Sequence, residues 1–237
     1  MSKLFADSEV SVFSTDCSLT YSSLIYCMML NRMAWDFSAQ ELSFLLGQDD
    51  DFVANLERFK RFDMGVELYQ QLRKVFHHAS FIQPQHHGEK ELRHEMHIWK
   101  AGETIFYRME CYKSQFESIT LFQLSEEDPE IGKYRYKNSV TIYQQQSLNA
   151  LYTMLTRGLF DKPIEAQELY RLLDRMSENI IDPIYFKTEL HKLVGRKGKA
   201  PLKQTKRRSY SYRYALHPGV DLESATDFVH QKFDELS

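Results

Sequence analysis

Histidines are the residues best suited to metal chemistry in this chain, and most of them lie in one stretch. Six of the nine lie between residues 77 and 97: His77, His78, His86, His87, His94 and His97. His94 and His97 could share a metal ion on a helix. However, HEMHIWKAG (94–102) predicts a strand, where residues three apart point to opposite faces. Because no cysteine or carboxylate pattern completes a site, we predict no metal and expect a polar interdomain surface.

Residues typical of catalysis are also sparse. The chain contains no glycine-rich phosphate loop and no nucleophile elbow. Glu110 and Lys113 are three residues apart, whereas a carboxylate and a lysine share one face of a nuclease strand at a spacing of two. The three cysteines are scattered without a C-x-x-C pair, which is typical of reduced thiols in the cytoplasm. We therefore predict a protein that is not an enzyme and that needs no cofactor.

The charge distribution indicates binding chemistry instead. Net charge is only −3, but residues 1–57 contain nine acidic side chains against two basic ones. Residues 187–213 contain ten basic side chains against one acidic one. Such asymmetry between the two ends of a chain suggests a different partner for each end. A polyanion such as nucleic acid is the partner that suits the basic segment.

The elements that must position these groups form three blocks, which predict an α+β fold. Residues 1–79 are expected to form an acidic helical domain. Residues 80–146 are expected to form an antiparallel β meander or linker, with a hairpin turn at residues 101–103. Residues 147–237 are expected to form helices, a hairpin and a last helix. No apolar run approaches the length of a membrane span, and the acidic N-terminus lacks the apolar core of a signal peptide.

Within the first block, residues 38–47 carry the signals of a short helix. Ser38 is a good N-cap, Glu41 three residues later completes a capping box, and Gly47 suits the C-terminal end. A second helix is predicted from about residue 50 to 59. The two helices supply a shared apolar core: Leu42, Leu45, Leu46, Val53 and Leu56.

This spacing resembles the Cro/CI repressor (Xre-type) family over residues 18–76, which implies a five-helix domain with a helix-turn-helix. Ala39 stands where the family commonly has a phosphate-clamping glutamine. The implied recognition helix opens with Asp49, Asp50 and Asp51, which its dipole favours but DNA phosphates repel. We therefore expect these aspartates to bind a protein, in self-association or with a basic partner surface.

In the last block, Asp182 and Pro183 begin a helix and Gly195 follows its end. Phe186, Leu190 and Leu193 fall on one face of that helix. Three helices followed by a basic hairpin resemble a winged helix over about residues 147–218. Such folds place the third helix in the major groove and the wing on phosphates. The resemblance implies these DNA contacts: Tyr185, Lys187, Thr188, His191, Lys192, Arg196, Lys197, Lys199, Lys203, Lys206, Arg207, Arg208 and Arg213.

The function predicted from the sequence is that of a cytoplasmic DNA-binding protein, a prokaryotic-type transcriptional regulator that contacts double-stranded DNA through its C-terminal domain. The alternative is a non-enzymatic adaptor, antitoxin-like or a subunit of a larger complex, that binds protein through the acidic domain. A homo-oligomer formed by that domain is compatible with both. No membrane partner is expected.

Overall fold

A computed structural model of the chain describes residues 9–61, 65–76, 90–132, 137–177, 179–195, 200–206 and 210–236. It has the mixed α+β fold that the sequence predicted. The elements follow in this order: β1 (Ser11–Cys17), α1 (Leu19–Ala34), α2 (Ala39–Leu45), α3 (Phe52–Glu57), α4 (Val66–Phe76), β2 (Leu92–Ala101), β3 (Thr104–Ser114), β4 (Glu117–Glu127), α5 (Pro129–Gly132), α6 (Lys137–Thr156), β5 (Ile164–Glu165), α7 (Ala166–Met176), α8 (Pro183–Lys192), β6 (Leu202–Thr205), β7 (Arg213–Leu216) and α9 (Leu222–Asp234).

The chain divides into two compact units whose boundaries differ from those of the three predicted domains. The first unit comprises residues 1–39 and 51–135, and the second comprises residues 40–50 and 136–237. The predicted β meander thus belongs with the N-terminal helices. The segment between residues 40 and 50 belongs with the C-terminal block. As a result, α2 and α3, the predicted helix-turn-helix pair, lie in different units.

The first unit contains a four-stranded antiparallel sheet in the order β1-β2-β3-β4. The three strands of the predicted meander are present, and Gly102 turns between β2 and β3 with a positive φ of 62°. The sequence did not predict β1. Its residues Ser11–Cys17 are mostly polar, and the strand with which they pair, β2, lies some eighty residues later in the chain. Local sequence patterns therefore do not predict β1.

One face of this sheet carries the core of the unit, formed by alternate residues of the central strands. His94, Met96 and Met109 on this face are fully buried. Helix α1 packs here, with the Tyr26 ring centroid 4.9 Å from that of Phe122 on β4. Burial lowers the pKa of His94, which therefore stays neutral. The expectation from strand alternation that His94 and His97 point to opposite faces is confirmed, because His97 lies on the other side.

A buried ion-pair network lies in the same unit. Arg32 of α1 is 1% exposed, and its Nε donates to Glu57 Oε1 at 2.8 Å. Its Nη1 donates to Glu126 Oε2 at 2.6 Å and to the Phe37 carbonyl at 2.9 Å. The Tyr107 hydroxyl donates to Glu126 Oε1 at 2.6 Å. A buried charge requires several hydrogen-bond partners, and these acceptors supply them to the Arg32 guanidinium.

The second unit contains helices α6 to α9 and a three-stranded antiparallel sheet in the order β5-β7-β6. The apolar face predicted for α8 is confirmed, since Phe186, Leu190 and Leu193 are fully buried. Two predicted boundaries are wrong. Helix α6 begins at Lys137 rather than at residue 147. Residues Ile164–Glu165, expected in a helix, pair with β7 instead, a long-range pairing that helix-start signals cannot show.

Among the residues that the structure describes, no helix is both long and apolar enough to cross a membrane.

Candidate nucleic-acid interface

Helix α8 is the element predicted to enter the major groove, and its exposed surface is narrow. Asp182 is the N-cap and Pro183 occupies the first turn, as predicted. Thr188 and His191 are exposed on the face opposite the core. Tyr185, expected on the exposed face, is only 6% exposed and packs against Tyr143, with ring centroids 5.3 Å apart. Of the α8 residues predicted to contact DNA, Thr188 and His191 are therefore the two whose exposure allows them to touch a ligand.

The segment between residues 40 and 50 lies against one side of α8. Glu41 Oε1 accepts a hydrogen bond from the Ile184 backbone N at 3.2 Å, in the first turn of α8. The Phe44 ring lies 6.4 Å from Phe186 and 6.1 Å from His191, measured between centroids. This contact combines a carboxylate at the helix N-terminus, which the dipole favours, with aromatic packing. Residues 40–50 are therefore an integral part of the second unit.

The same segment also contacts the hairpin that was predicted to be the wing. Gln48 Nε2 donates to the Tyr210 carbonyl at 2.8 Å, and Lys206 Nζ donates to Gln48 Oε1 at 2.7 Å. The Tyr212 backbone N donates to the Gly47 carbonyl at 2.8 Å. Gly47 has a φ of +65°, and a Cβ there would meet Ser211 Cβ at 2.7 Å. Glycine is required at this position by both the positive φ and the close approach.

The three aspartates predicted to bind a partner protein are engaged within the chain. Asp50 Oδ1 pairs with Lys187 Nζ at 2.6 Å, and Asp49 Oδ1 accepts from the Tyr212 hydroxyl at 3.0 Å. Asp51 belongs to the first unit, where its carboxylate accepts from Asn55 at 2.7 Å. Burial by itself would raise the pKa of Asp50, but hydrogen bonds from Lys187 and Gln40 lower this pKa below its usual value. Asp50 is thus charged, and it neutralises a lysine predicted to bind DNA.

The other basic residues of the predicted interface differ in their surroundings. Lys192 pairs with Glu189 at 2.8 Å, and Arg213 pairs with Glu165 at 3.0 Å. Lys203 on β6 is half-buried, and Lys206 lies over the Tyr212 ring at 4.6 Å. The remaining predicted contacts lie outside the described residues: Arg196, Lys197, Lys199, Arg207 and Arg208.

The imidazole of His191 is exposed on one side and enclosed by Phe44 and Tyr214 on the other. Its Nε2 lies 3.3 Å from the Tyr214 hydroxyl. This partial burial, reinforced by the nearby Lys187 ammonium, lowers the pKa of His191, although Asp50 opposes the shift. A neutral imidazole at pH 7 has one donor and one acceptor nitrogen. His191 can therefore recognise polar groups, but it adds no charge to the interface.

Sequence reasoning did not predict that Glu41 and Gln48 bind α8 and the hairpin, or that residues 40–50 lie beside α8. Local patterns assigned this segment correctly as a helix followed by a turn, but they grouped it with its sequence neighbours. The acidic run near residue 50 and the basic run after residue 187 were the only signals that the two could attract each other. No family model, curated protein or solved structure matches this chain, so the resemblance to the Cro/CI repressors stays a prediction.

Proposed function

We propose that the second unit is a winged-helix domain that binds double-stranded DNA, and that the protein is a transcriptional regulator. The observation that carries this proposal is the arrangement of the elements. Helix α6 is followed by strand β5, helices α7 and α8, and the β6–β7 hairpin, with β7 between β5 and β6 in the sheet. Three helices followed by a hairpin are the element order on which the resemblance to a winged helix rests, and β5 adds one strand to the hairpin sheet.

The chemistry available at this surface suits a nucleic acid. Thr188 and His191 offer short polar groups on an exposed helix face, which can reach base edges in the major groove. In the sequence, the segment after α8 and the segment between β6 and β7 carry the basic residues Arg196, Lys197, Lys199, Arg207 and Arg208. Lysine and arginine on such flanks neutralise phosphates, and this neutralisation supplies most of the affinity for DNA.

We propose that residues 40–50 weaken the attraction of DNA to this interface. They contact α8 on one side and Lys206, Tyr210 and Tyr212 on the other, and they present Asp49 and Asp50 beside both. Negative charge near a phosphate-binding surface weakens the attraction of DNA. We infer that the acidic segment tempers non-specific binding, so that contacts with bases decide which sites are occupied.

The alternative is a non-enzymatic adaptor, and one observation favours it. Lys187, Lys192 and Arg213, three of the cations predicted to bind DNA, are already paired with carboxylates of the same unit. An adaptor would use these pairs for structure and would have little affinity for DNA. It would instead bind protein, through the parts of Asp49 and Asp50 that do not contact Tyr212 and Lys187.

A salt titration distinguishes the two functions. The full chain is titrated onto short labelled duplexes, one random and one pool of genomic fragments, between roughly 0.05 and 0.2 M salt. A regulator that makes at least three phosphate contacts should show a slope of about −3 or steeper in log affinity against log salt. It should also retain a selected subset of genomic sequences. Binding that is absent or independent of salt would exclude the DNA-binding function and leave the adaptor.

Removing the charge of Asp50 should strengthen DNA binding. We expect Asp50→Asn to raise the affinity for random duplex up to about eightfold at roughly 0.1 M salt, because it removes one negative charge beside the phosphate-binding surface, a change equivalent at most to the neutralisation of one phosphate. The matched control is Asp51→Asn, which removes the neighbouring charge but contacts Asn55 of the first unit; it should change affinity less. Fluorescence anisotropy measures both. Equal or lower affinity in Asp50→Asn would show that the charge of Asp50 does not oppose DNA binding.

A further inference from the structure

We propose that the first unit binds a divalent transition-metal ion, such as Zn²⁺ or Mn²⁺, through Glu95, His97 and Glu110. These residues lie on the face of the four-stranded sheet that is turned away from the core. Each offers one ligand atom, and the three atoms all lie within 4.8 Å of one another. This site is independent of the proposed DNA-binding function, because all of its residues belong to the first unit.

Strand register brings the three side chains together. Glu95 and His97 are two residues apart on β2 and therefore share one face. Glu110 on β3 is the direct cross-strand partner of Glu95. Like charges placed directly opposite each other destabilise a sheet, and the nearby guanidiniums of Arg93 and Arg108 contact only the Oε1 atoms of the two carboxylates. A divalent cation held by the two Oε2 atoms would further reduce the repulsion between the carboxylates.

The distances fit a metal ion. His97 Nε2 lies 3.3 Å from Glu95 Oε2 and 3.8 Å from Glu110 Oε2. Ligands about 2.0–2.2 Å from one ion are separated from each other by about 3–4 Å. His97 Nε2 is also buried and makes no hydrogen bond to any residue that the structure describes. This nitrogen faces two carboxylate oxygens, so it lies where a metal ligand would lie.

Neighbouring side chains hold the two carboxylates in place, as the residues around metal ligands do. Arg93 donates to the outer oxygen of Glu95, Oε1, at 2.7 Å. Arg108 Nε lies 3.3 Å from Oε1 of Glu110. The Tyr112 hydroxyl donates to Glu95 Oε2 at 2.8 Å and lies 3.3 Å from Glu110 Oε2. Hydrogen bonding to Glu95 raises the pKa of Tyr112 to about 12, so this hydroxyl keeps its proton.

The type of ion follows from the donors. One imidazole nitrogen and two carboxylate oxygens suit Zn²⁺, Mn²⁺ or Fe²⁺ better than Ca²⁺, which takes oxygen ligands only. Three protein ligands leave at least one coordination position for water or a small ligand, an arrangement that structural zinc sites do not have. The two guanidiniums partly offset the carboxylate charge, so the affinity should be moderate.

The test is direct metal binding by the full chain after removal of metal with a chelator. Titration calorimetry with Zn²⁺, and separately with Mn²⁺, should show one ion bound per chain. Glu110→Gln and His97→Gln should each weaken binding at least about tenfold, and Tyr112→Phe should weaken it less. Glu117→Gln, which removes an exposed carboxylate of β4, should have no effect. Thermal unfolding of each variant without metal checks that the sheet is retained.

Histidines outside the described residues provide the competing explanation. The variant His86→Gln/His87→Gln should bind as the wild type does if the proposal is right. Loss of binding in that variant, with retention in Glu110→Gln, would overturn the proposal, as would a wild type that binds neither ion saturably. If the sheet variants do not fold, wild-type protein loaded with Co²⁺ decides: a d–d spectrum that His86→Gln/His87→Gln leaves unchanged supports the site, and its absence excludes it.

Discussion

Replacing Arg32 with Met should lower the free energy of unfolding by about 3–5 kcal/mol, the range for breaking a buried ion pair by removal of one partner. Arg32 is 1% exposed and is the cation that both Glu57 and Glu126 contact. Its loss leaves the buried carboxylate of Glu57 without that partner. Chemical denaturation at neutral pH measures the change. The control is Arg73→Met, an exposed arginine of α4, which should shift stability by no more than about 0.5 kcal/mol.

Two measurements distinguish the loss of a buried charge from a simple loss of packing. They are the pH dependence of the free energy of unfolding and the stability of a variant that also lacks the two carboxylates. Burial raises the pKa of Glu57, and Arg32 opposes that shift. In the variant the folded state therefore takes up a proton more readily than the unfolded state. Its deficit relative to the wild type should shrink as the pH falls toward the range in which unfolded glutamates titrate. The triple variant Arg32→Met/Glu57→Gln/Glu126→Gln should be more stable than Arg32→Met alone. A deficit independent of pH and of the two glutamates would indicate that packing, not charge, is what Arg32 contributes.

Reversing the charge of the hairpin should have the largest effect on DNA binding. We expect Lys206→Glu/Arg207→Glu/Arg208→Glu to weaken binding to all duplexes about 10²–10³-fold at roughly 0.1 M salt, because three phosphate contacts each contribute about 0.9 of a power of ten there. The salt slope should become shallower by about 2.7 for the same reason. Phosphate contacts carry no sequence information, so random and selected duplexes should lose affinity alike.

The control for this reversal changes the net charge by the same amount elsewhere in the second unit. Arg157, Lys162 and Arg175 are exposed, and their reversal to Glu should weaken binding far less. Equal losses in both triple variants would mean that only overall charge matters. An unchanged affinity after reversal of the hairpin would contradict the winged-helix proposal. Melting temperatures of both variants exclude unfolding as the cause, since Lys206 also bonds to Gln48.

The sequence by itself determined the elements whose signals are local. Helix α8 begins after Asp182 at Pro183 and buries Phe186, Leu190 and Leu193, as capping and spacing predicted. The three strands of the meander (β2, β3 and β4) followed from the alternation of apolar and polar residues, and the turn at Gly102 followed from the preference of glycine for turns. A cap, a helical period or a two-residue alternation acts over a few residues of chain, and those residues are enough to reveal it.

Only the tertiary structure decided which of these elements belong together. The short strands β1 and β5 exist because β2 and β7 pair with them, and their own residues carry little strand signal. Residues 40–50 join the second unit because Glu41, Gln48 and Asp50 find partners more than 130 residues later. Glu95 and Glu110 face each other because of strand register. Charge pairing, burial and register depend on groups distant in sequence, and their free energies are set only when the chain has folded.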